Sequence, residues 1–427
     1  GSKSTAIGRG ALQTQNFTTA TDSNNVAVGF NAGVSVTTGI DNVIIGAVAG
    51  DAITDADGNV AIGKSALGGN TIGSFSVAIG KNALVTQNPA TAVSMFNVAI
   101  GTSAGLAVTT GVQNTIIGGL AGDAQTIGGD NVAIGYEALS TETQSSRNTA
   151  IGRGALKVQN VGTNSNSFNT AVGAVAGEAV TDGIKNTLVG GQAGKGLTTG
   201  DQNTFIGADT GNAVCTGDVN TAVGYGALQV VTSGNSNTAV GDRAGFEITS
   251  GSNNLMLGND AGKSSSPGGE HTTASNTITL GDNSIATANI KVDWTVSSDQ
   301  RDKTDFTALD IGLDFVKALS PVTYKWDQRS DYGDSEADNW SLSDQTPDGT
   351  HKKDWLDVGF KAQEVEALEQ AAGYNKSNKT NLTVSLSSDG EQYGMKYSKF
   401  VPILVKAVQE LSTALDAALA RIATLEG

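Results

Sequence analysis

What this chain of 427 residues lacks narrows its class before any motif is read. It has one cysteine, Cys215, so no disulfide framework within the chain can brace it. Its two histidines, His271 and His351, cannot make a multi-histidine metal site. Neither a metal nor any other cofactor is expected. Basic side chains are scarce, with 26 Lys and Arg against 42 Asp and Glu and a formal charge of -16. Nucleic acid and anionic membranes both bind through clustered cations, so neither is expected as a partner. No apolar run is long enough to cross a bilayer, and no membrane insertion is expected. Tryptophan is missing from everything before Trp294, with Trp326, Trp340 and Trp355 following it. The apolar share of 38% is low for a chain built around one large core.

Glycine, by contrast, is abundant: 56 of 427 residues, about 13% and nearly twice ordinary usage. It is also periodic. The unit N-[TV]-A-[IV]-G-x-x-A-[GL] recurs, as in "NVAIGKSAL" (59–67), "NTAIGRGAL" (148–156) and "NTAVGYGAL" (220–228). Its central glycine anchors sixteen units from Gly8 to Gly281. The regular step is the one from Gly29 to Gly46, Gly63 and Gly80. It lengthens by four positions after Gly8, Gly80 and Gly152, and by six before Gly281. A longer block, one long step and three regular ones, links Gly8, Gly80, Gly152 and Gly224 at equal spacing.

Each position of the unit carries a physical constraint. Ile, Val or Leu precedes the anchor in all sixteen units, with a small residue usually before it and a β-branched one before that. This alternation is the period of a strand. Asn stands four before the anchor in thirteen units and Ala three after it in fourteen. So short a coil, holding two brief strands, cannot stand alone. Each buried aliphatic side chain contributes about 1.5–3 kcal/mol, whereas ordering costs about 1–2 kcal/mol for every residue. Stacking must make up the deficit, which is the logic of a solenoid. Sixteen coils at about 4.8 Å each would make a rod of roughly 75 Å.

On this reading the Ile/Val line fills each coil. The Ala lines either let neighbouring chains approach in a trimer of parallel β-rolls or save space inside. The Asn line reads as a structural ladder. The three longer steps within the array add loop residues at 13–24, 85–96 and 157–168, and such protrusions on one face are the candidates for a binding surface. Asp55 and Asp57 have calcium-loop spacing without the closing Glu, and read as a turn. The "NVAIGxxA" unit resembles the head repeat of trimeric autotransporter adhesins and the shafts of phage tail fibres, over about 1–283.

After residue 262 the pattern changes. "KSSSPGGEHTTAS" (263–275) is a linker by composition, and "NTITLGDNSIATANIKVDWTV" (276–296) reads as a last strand region. Then come "SDQRDK" (298–303), "LSPVTYKW" (319–326) with "DVGFKAQEVEAL" (357–368), and "YSKFVPILVKAVQEL" (397–411). Leu404, Val408, Leu411, Leu415, Ala418, Ile422 and Leu425 continue from there in steps of four and three, an a/d seam. A coiled coil or a helix packed on its own domain would both show this seam; its heptad regularity favours the coiled coil.

The three ordered motifs resemble the endosialidase-type intramolecular chaperone that ends many phage tail spikes and fibres, over about 298–427. The resemblance implies a domain that assembles a trimer and then cuts itself off through a Ser–Lys dyad. Ser298 is then the nucleophile, Lys303 its base and Ser297–Ser298 the scissile bond. Asp302 stands where the family commonly has Leu, and a carboxylate beside a lysine favours its charged form. Read without the resemblance, Ser298 and Asp299 could simply cap a turn. Gln363 and Glu364 could be structural or could line the cut site.

The expected fold is therefore mainly β: a parallel β-roll or β-solenoid shaft in a homotrimer, then an α+β chaperone domain ending in a long coiled-coil helix. The expected boundaries are 1–262 for the shaft, 263–297 for the linker and terminal strand region, and 298–427 for the chaperone. The expected function is that of a virion tail fibre that binds a receptor, such as a glycan, on the host-cell surface. Its only enzymatic act would be one cut on its own chain. The alternative is a bacterial trimeric surface adhesin without enzymatic activity. An ice-binding surface would need flat Thr-x-Thr arrays in register, and a polysaccharide depolymerase would need paired carboxylates beside aromatic platforms. The repeat region has neither.

Overall fold

The computed structural model describes residues 2–291, 294–333, 340–375, 382–387 and 389–426. The described chain forms two compact units. The first comprises 1–261 with 272–280, and the second comprises 262–271 with 281–427.

The first unit is a parallel β-solenoid. One sheet of sixteen strands runs in chain order from Thr5–Ile7 to Ile278–Leu280, and every strand pairs in parallel with its neighbours. Each of these strands is three residues long, and the pairing is in register, so that Val60, Ala61 and Ile62 meet Val77, Ala78 and Ile79. A coil thus carries one regular strand rather than two. Two residues downstream of the anchor, and again at four, the backbone turns into positive φ, as at Ser65 (59°) and Leu67 (50°). That conformation breaks any second extended run. Outside the main sheet, Gly73–Ser74 and Val93–Ser94 pair with each other.

The anchor glycine is required by close approach. Gly63 has φ +129°, and a Cβ placed on it would lie 2.6 Å from the carbonyl oxygen of Gly80 in the next coil. No side chain fits between backbones that near, and the same approach recurs at every anchor from Gly8 to Gly241.

The strands correct one expectation. The Ile/Val line does not fill the coil. In most strands the central residue is buried while its neighbours are only half-buried, as in Val60, Ala61 and Ile62. A three-residue strand turns its first and third side chains to one face and its second to the other. The narrow interior therefore takes Ala, and the bulkier β-branched rows face outward. Where the central residue is Leu188 or Phe205, the coil makes room through Gly194 and Gly211, four after the anchor. A Cβ on Gly211 would overlap the Phe205 ring. The Ala three after the anchor is likewise interior, as at Ala32, Ala49 and Ala66.

The Asn row is a buried ladder. Asn42 Oδ1 accepts the backbone amide of Asn59 at 2.9 Å, while Asn42 Nδ2 donates to the Ala56 carbonyl at 2.8 Å. The same pair of bonds repeats at Asn186, Asn203 and Asn220. Buried amides must find partners, and this row supplies them coil by coil. Asp55 accepts from the Thr37 and Thr38 hydroxyls and Asp57 from the Ile40 amide, so both carboxylates brace neighbouring coils.

The second unit is α+β. It contains α1 (Leu313–Ala318), α2 (Ala362–Ala371) and α3 (Phe400–Glu426), with two antiparallel strand pairs. Val322–Tyr324 pairs with Asp357–Gly359, and Val384–Leu386 with Tyr393–Met395. Ile311, Phe315, Val365, Val384, Phe400 and Ile403 form its core. Two carboxylates fasten the elements. Glu369 on α2 is buried and accepts the amides of Leu382 and Thr383 at 3.1 and 2.6 Å. Glu410 on α3 accepts the Leu313 amide at 2.7 Å and so supplies the N-terminal cap that Gly312 cannot give α1.

Only the start of α3 is buried, at Phe400, Ile403 and Ala407. The heptad seam lies outside this packing. Leu411, Leu415 and Ile422 are each about half exposed, and Leu425 is 80% exposed. Within the single chain, the seam beyond Ala407 is not covered by packing on its own unit.

Candidate functional site

Ser297 and Ser298 lie in an exposed, irregular segment. Asp299 then starts a short 3-10 turn, Gln300–Asp302, by accepting the Arg301 amide at 2.9 Å. The Arg301 guanidinium folds back on the same carboxylate, with Nη2 2.6 Å from Oδ2. This pairing holds the Asp299 carboxyl below its ordinary range and raises the guanidinium above its own. The turn closes with the Lys303 amide on the Gln300 carbonyl at 3.2 Å.

The consequence is that the chain doubles back on itself. Lys303 Nζ sits 2.5 Å from Ser298 Oγ and 3.3 Å from the Ser298 carbonyl oxygen. A turn cap and a Ser–Lys contact therefore coexist. Asp299 does the capping, and Ser298 is left free to meet the lysine. Among the described residues no ion pair joins Asp302 to Lys303, so the nearest carboxylate in sequence does not compete for the ammonium. Glu364 is engaged elsewhere, 2.7 Å from Lys361 in an ion pair, and among the described residues neither Gln363 nor Glu364 hydrogen-bonds to Ser298 or Lys303.

The arrangement is chemically suited to attack on a neighbouring acyl group. The hydroxyl of residue 298 is covalently tethered beside the carbonyl of residue 297, so little translational freedom remains to be lost. A lysine nitrogen in hydrogen-bond contact with that hydroxyl has the geometry of a general base, although acting as one requires desolvation. Both side chains are exposed in the single chain. Asp299 and Arg301 shape the turn, yet the Ser–Lys spacing alone does not single them out. Their signal is local: an acid at the start of a turn with an arginine two places on.

Two of the long-step loops and the coils just before them carry a second group of exposed side chains. The residue five before each anchor has positive φ in all sixteen units, and in three it is phenylalanine: Phe75, Phe96 and Phe168. Phe96 and Phe168 each close one of the lengthened steps. Phe75 and Phe96 stack at 5.8 Å between centroids, and both are about half exposed. One block later the Arg147 guanidinium lies 5.6 Å from the Phe168 ring centre. Aromatic faces held in a conformation that bulky residues rarely adopt make a fixed platform on the solenoid.

No curated protein and no solved structure matches the chain. Within its C-terminal unit, residues 298–374 match the family model described as the chaperone of endosialidase, a match that opens on Ser298 itself.

Proposed function

We propose that the chain is a homotrimeric tail-fibre protein. Its solenoid is the shaft that meets a host-cell surface, and its C-terminal unit is a chaperone that drives trimer assembly and cuts the chain at Ser297–Ser298. The observation that carries this reading is the contact of Lys303 Nζ with Ser298 Oγ at 2.5 Å, at the first residue of the chaperone match.

In the proposed reaction Lys303 takes the hydroxyl proton as Ser298 Oγ adds to the Ser297 carbonyl carbon. The C–N bond breaks, the proton passes to the departing nitrogen, and an ester links Ser297 to the Ser298 oxygen. Water then opens the ester, giving a Ser297 carboxylate and a fragment that begins with Ser298.

Two exposed apolar features support assembly. The α3 seam is open along its length, and the outward Ile/Val rows run along the solenoid, with Ile100, Ile206 and Val240 each more than a third exposed. Seams of this kind are buried by partner helices in coiled coils. The Phe75–Phe96 pair offers stacking faces of the kind sugar rings use, in keeping with a glycan on the host.

Intact mass of the purified chain beside Ser298→Ala and Lys303→Ala tests the cut. The wild type is expected to lose everything from Ser298 to Gly427, and both variants to stay whole. Three full-length chains after prolonged incubation would sink the protease reading.

A further inference from the structure

The second compact unit spans the proposed cut. It contains 262–271 and 281–297, which precede the bond, together with everything after it. Residues 262–271 leave the last coil after Ala261 and rejoin it at Thr272, so this loop remains part of the shaft fragment when the bond is opened. The loop is shaped by its own bonds. Ser266 is fully buried, its hydroxyl accepts the Gly262 amide at 2.9 Å and donates to the Lys263 carbonyl at 2.8 Å, and the His271 amide closes the base on Gly262.

Residues from the far side of the cut grip this loop. Gln392 Nε2 donates to the carbonyls of Ser264 and Ser266 at 2.9 and 3.2 Å. Asp389 Oδ2 accepts the Glu270 amide at 2.8 Å, and a Cβ on Gly269 would overlap the same carboxylate. Both gripping side chains are set by the turn between Val384–Leu386 and Tyr393–Met395. Ser387 Oγ donates to Asp389 Oδ1, which also accepts the Glu391 amide at 2.9 Å, and the Gln392 amide donates to Ser387 Oγ at 2.9 Å. A further bond crosses from Asn283 Nδ2 to Ser330 Oγ at 3.2 Å. It lies beside a cleft of about 570 Å³ whose walls come from both sides of the cut, Pro267 and Ile285 facing Trp326 and Trp355.

We propose that Asp389 and Gln392 form a clamp on residues 262–271 that keeps the C-terminal fragment attached after the Ser297–Ser298 bond is broken. Cleavage and release are then separate steps. This rests on the self-cleavage reading above, but the clamp itself does not depend on how the bond is cut. Hydrolysis removes one covalent link and none of these contacts. In a homotrimer three clamps act together, and each raises the effective concentration of the others.

The test uses the full chain carrying Ser298→Ala, with a recognition sequence for a site-specific protease inserted after Val296. Adding that protease cuts the chain whether or not Ser298 is a nucleophile. Failure of self-cleavage is read separately, from the mass of the uncut wild type. On gel filtration at neutral pH the two fragments are expected to co-elute. With Asp389→Asn and Gln392→Ala together, the dissociation constant between fragments should rise roughly ten- to a hundredfold. Gly269→Ala, which crowds the clamp from the loop side, should loosen it independently of any effect on the 384–395 hairpin. Fragments that part at once with the clamp intact overturn the proposal. So do fragments that stay as tightly joined in both altered chains as in the parent.

Discussion

The side-chain oxygen of Asn131 accepts the backbone amide of Asn148, one coil further on, at 2.9 Å. On its other side the Asn131 amide group donates to the Ser145 carbonyl at 3.1 Å, and its own backbone amide is taken by Asn114 at 3.0 Å. Asn131→Ala therefore strands a buried donor and a buried acceptor at once. Each costs about 1–3 kcal/mol. A clear drop in the denaturation midpoint of the repeat region is expected, whereas an unchanged midpoint would show that coils do not rely on the ladder.

The α3 seam makes a prediction about association rather than folding. Leu415 is more than half exposed and lies beyond the part of α3 that packs on its own unit. Leu415→Asp should leave the unit folded and reduce trimers to monomers in sedimentation equilibrium. A monomeric wild type would remove the seam's proposed role.

Cys215 reports on the solenoid interior. Burial pushes its thiol up to about 11, far from the range in which thiolates react. Iodoacetamide in mildly alkaline buffer should leave the native chain unlabelled and modify it stoichiometrically in denaturant. Rapid native labelling would mean that the coil from Gly207 to Gly224 opens readily.

The Glu410 cap on α1 carries a pH dependence. The Leu313 amide first, and Lys406 second, hold its carboxyl below the ordinary glutamate value of 4.5. A lowered folded value means that the cap contributes fully above about 4.5 and is lost as pH falls through the folded value. Protection of the first turn of α1 against hydrogen exchange, taken relative to the intrinsic rate, should therefore be flat through neutrality and fall only in acid. Glu410→Gln should show the faster exchange at every pH.

Much of this architecture was open to reading because it is written sixteen times. Repetition exposed the strand period, the Asn row and the anchor, and the Asn row is indeed a ladder. Inside and outside were harder to tell apart. Ile62 is greasier than Ala61, and hydrophobicity alone sends it inward. The small cross-section of so short a coil reverses that choice, a limit of volume that no single repeat announces. Compensation between Phe205 and Gly211 was legible only once the coil was closed. In the C-terminal unit, Ser298 and Lys303 do come into contact, but the fold-back that joins them depends on Asp299 and Arg301. The partners of residues 262–271 lie far away in sequence, beyond Ser387, and a stretch rich in serine, glycine and proline gives no hint of them.

The positive-φ position five before each anchor has a further consequence. Lys3, Asp41, Phe96, Lys185, Val219 and Asn276 all occupy it, so the fold accepts almost any chemistry there. The backbone holds the place and leaves its occupant unspecified. A lineage could rewrite this column one coil at a time, at fixed pitch and without disturbing a single ladder bond, much as type is changed in a composed line.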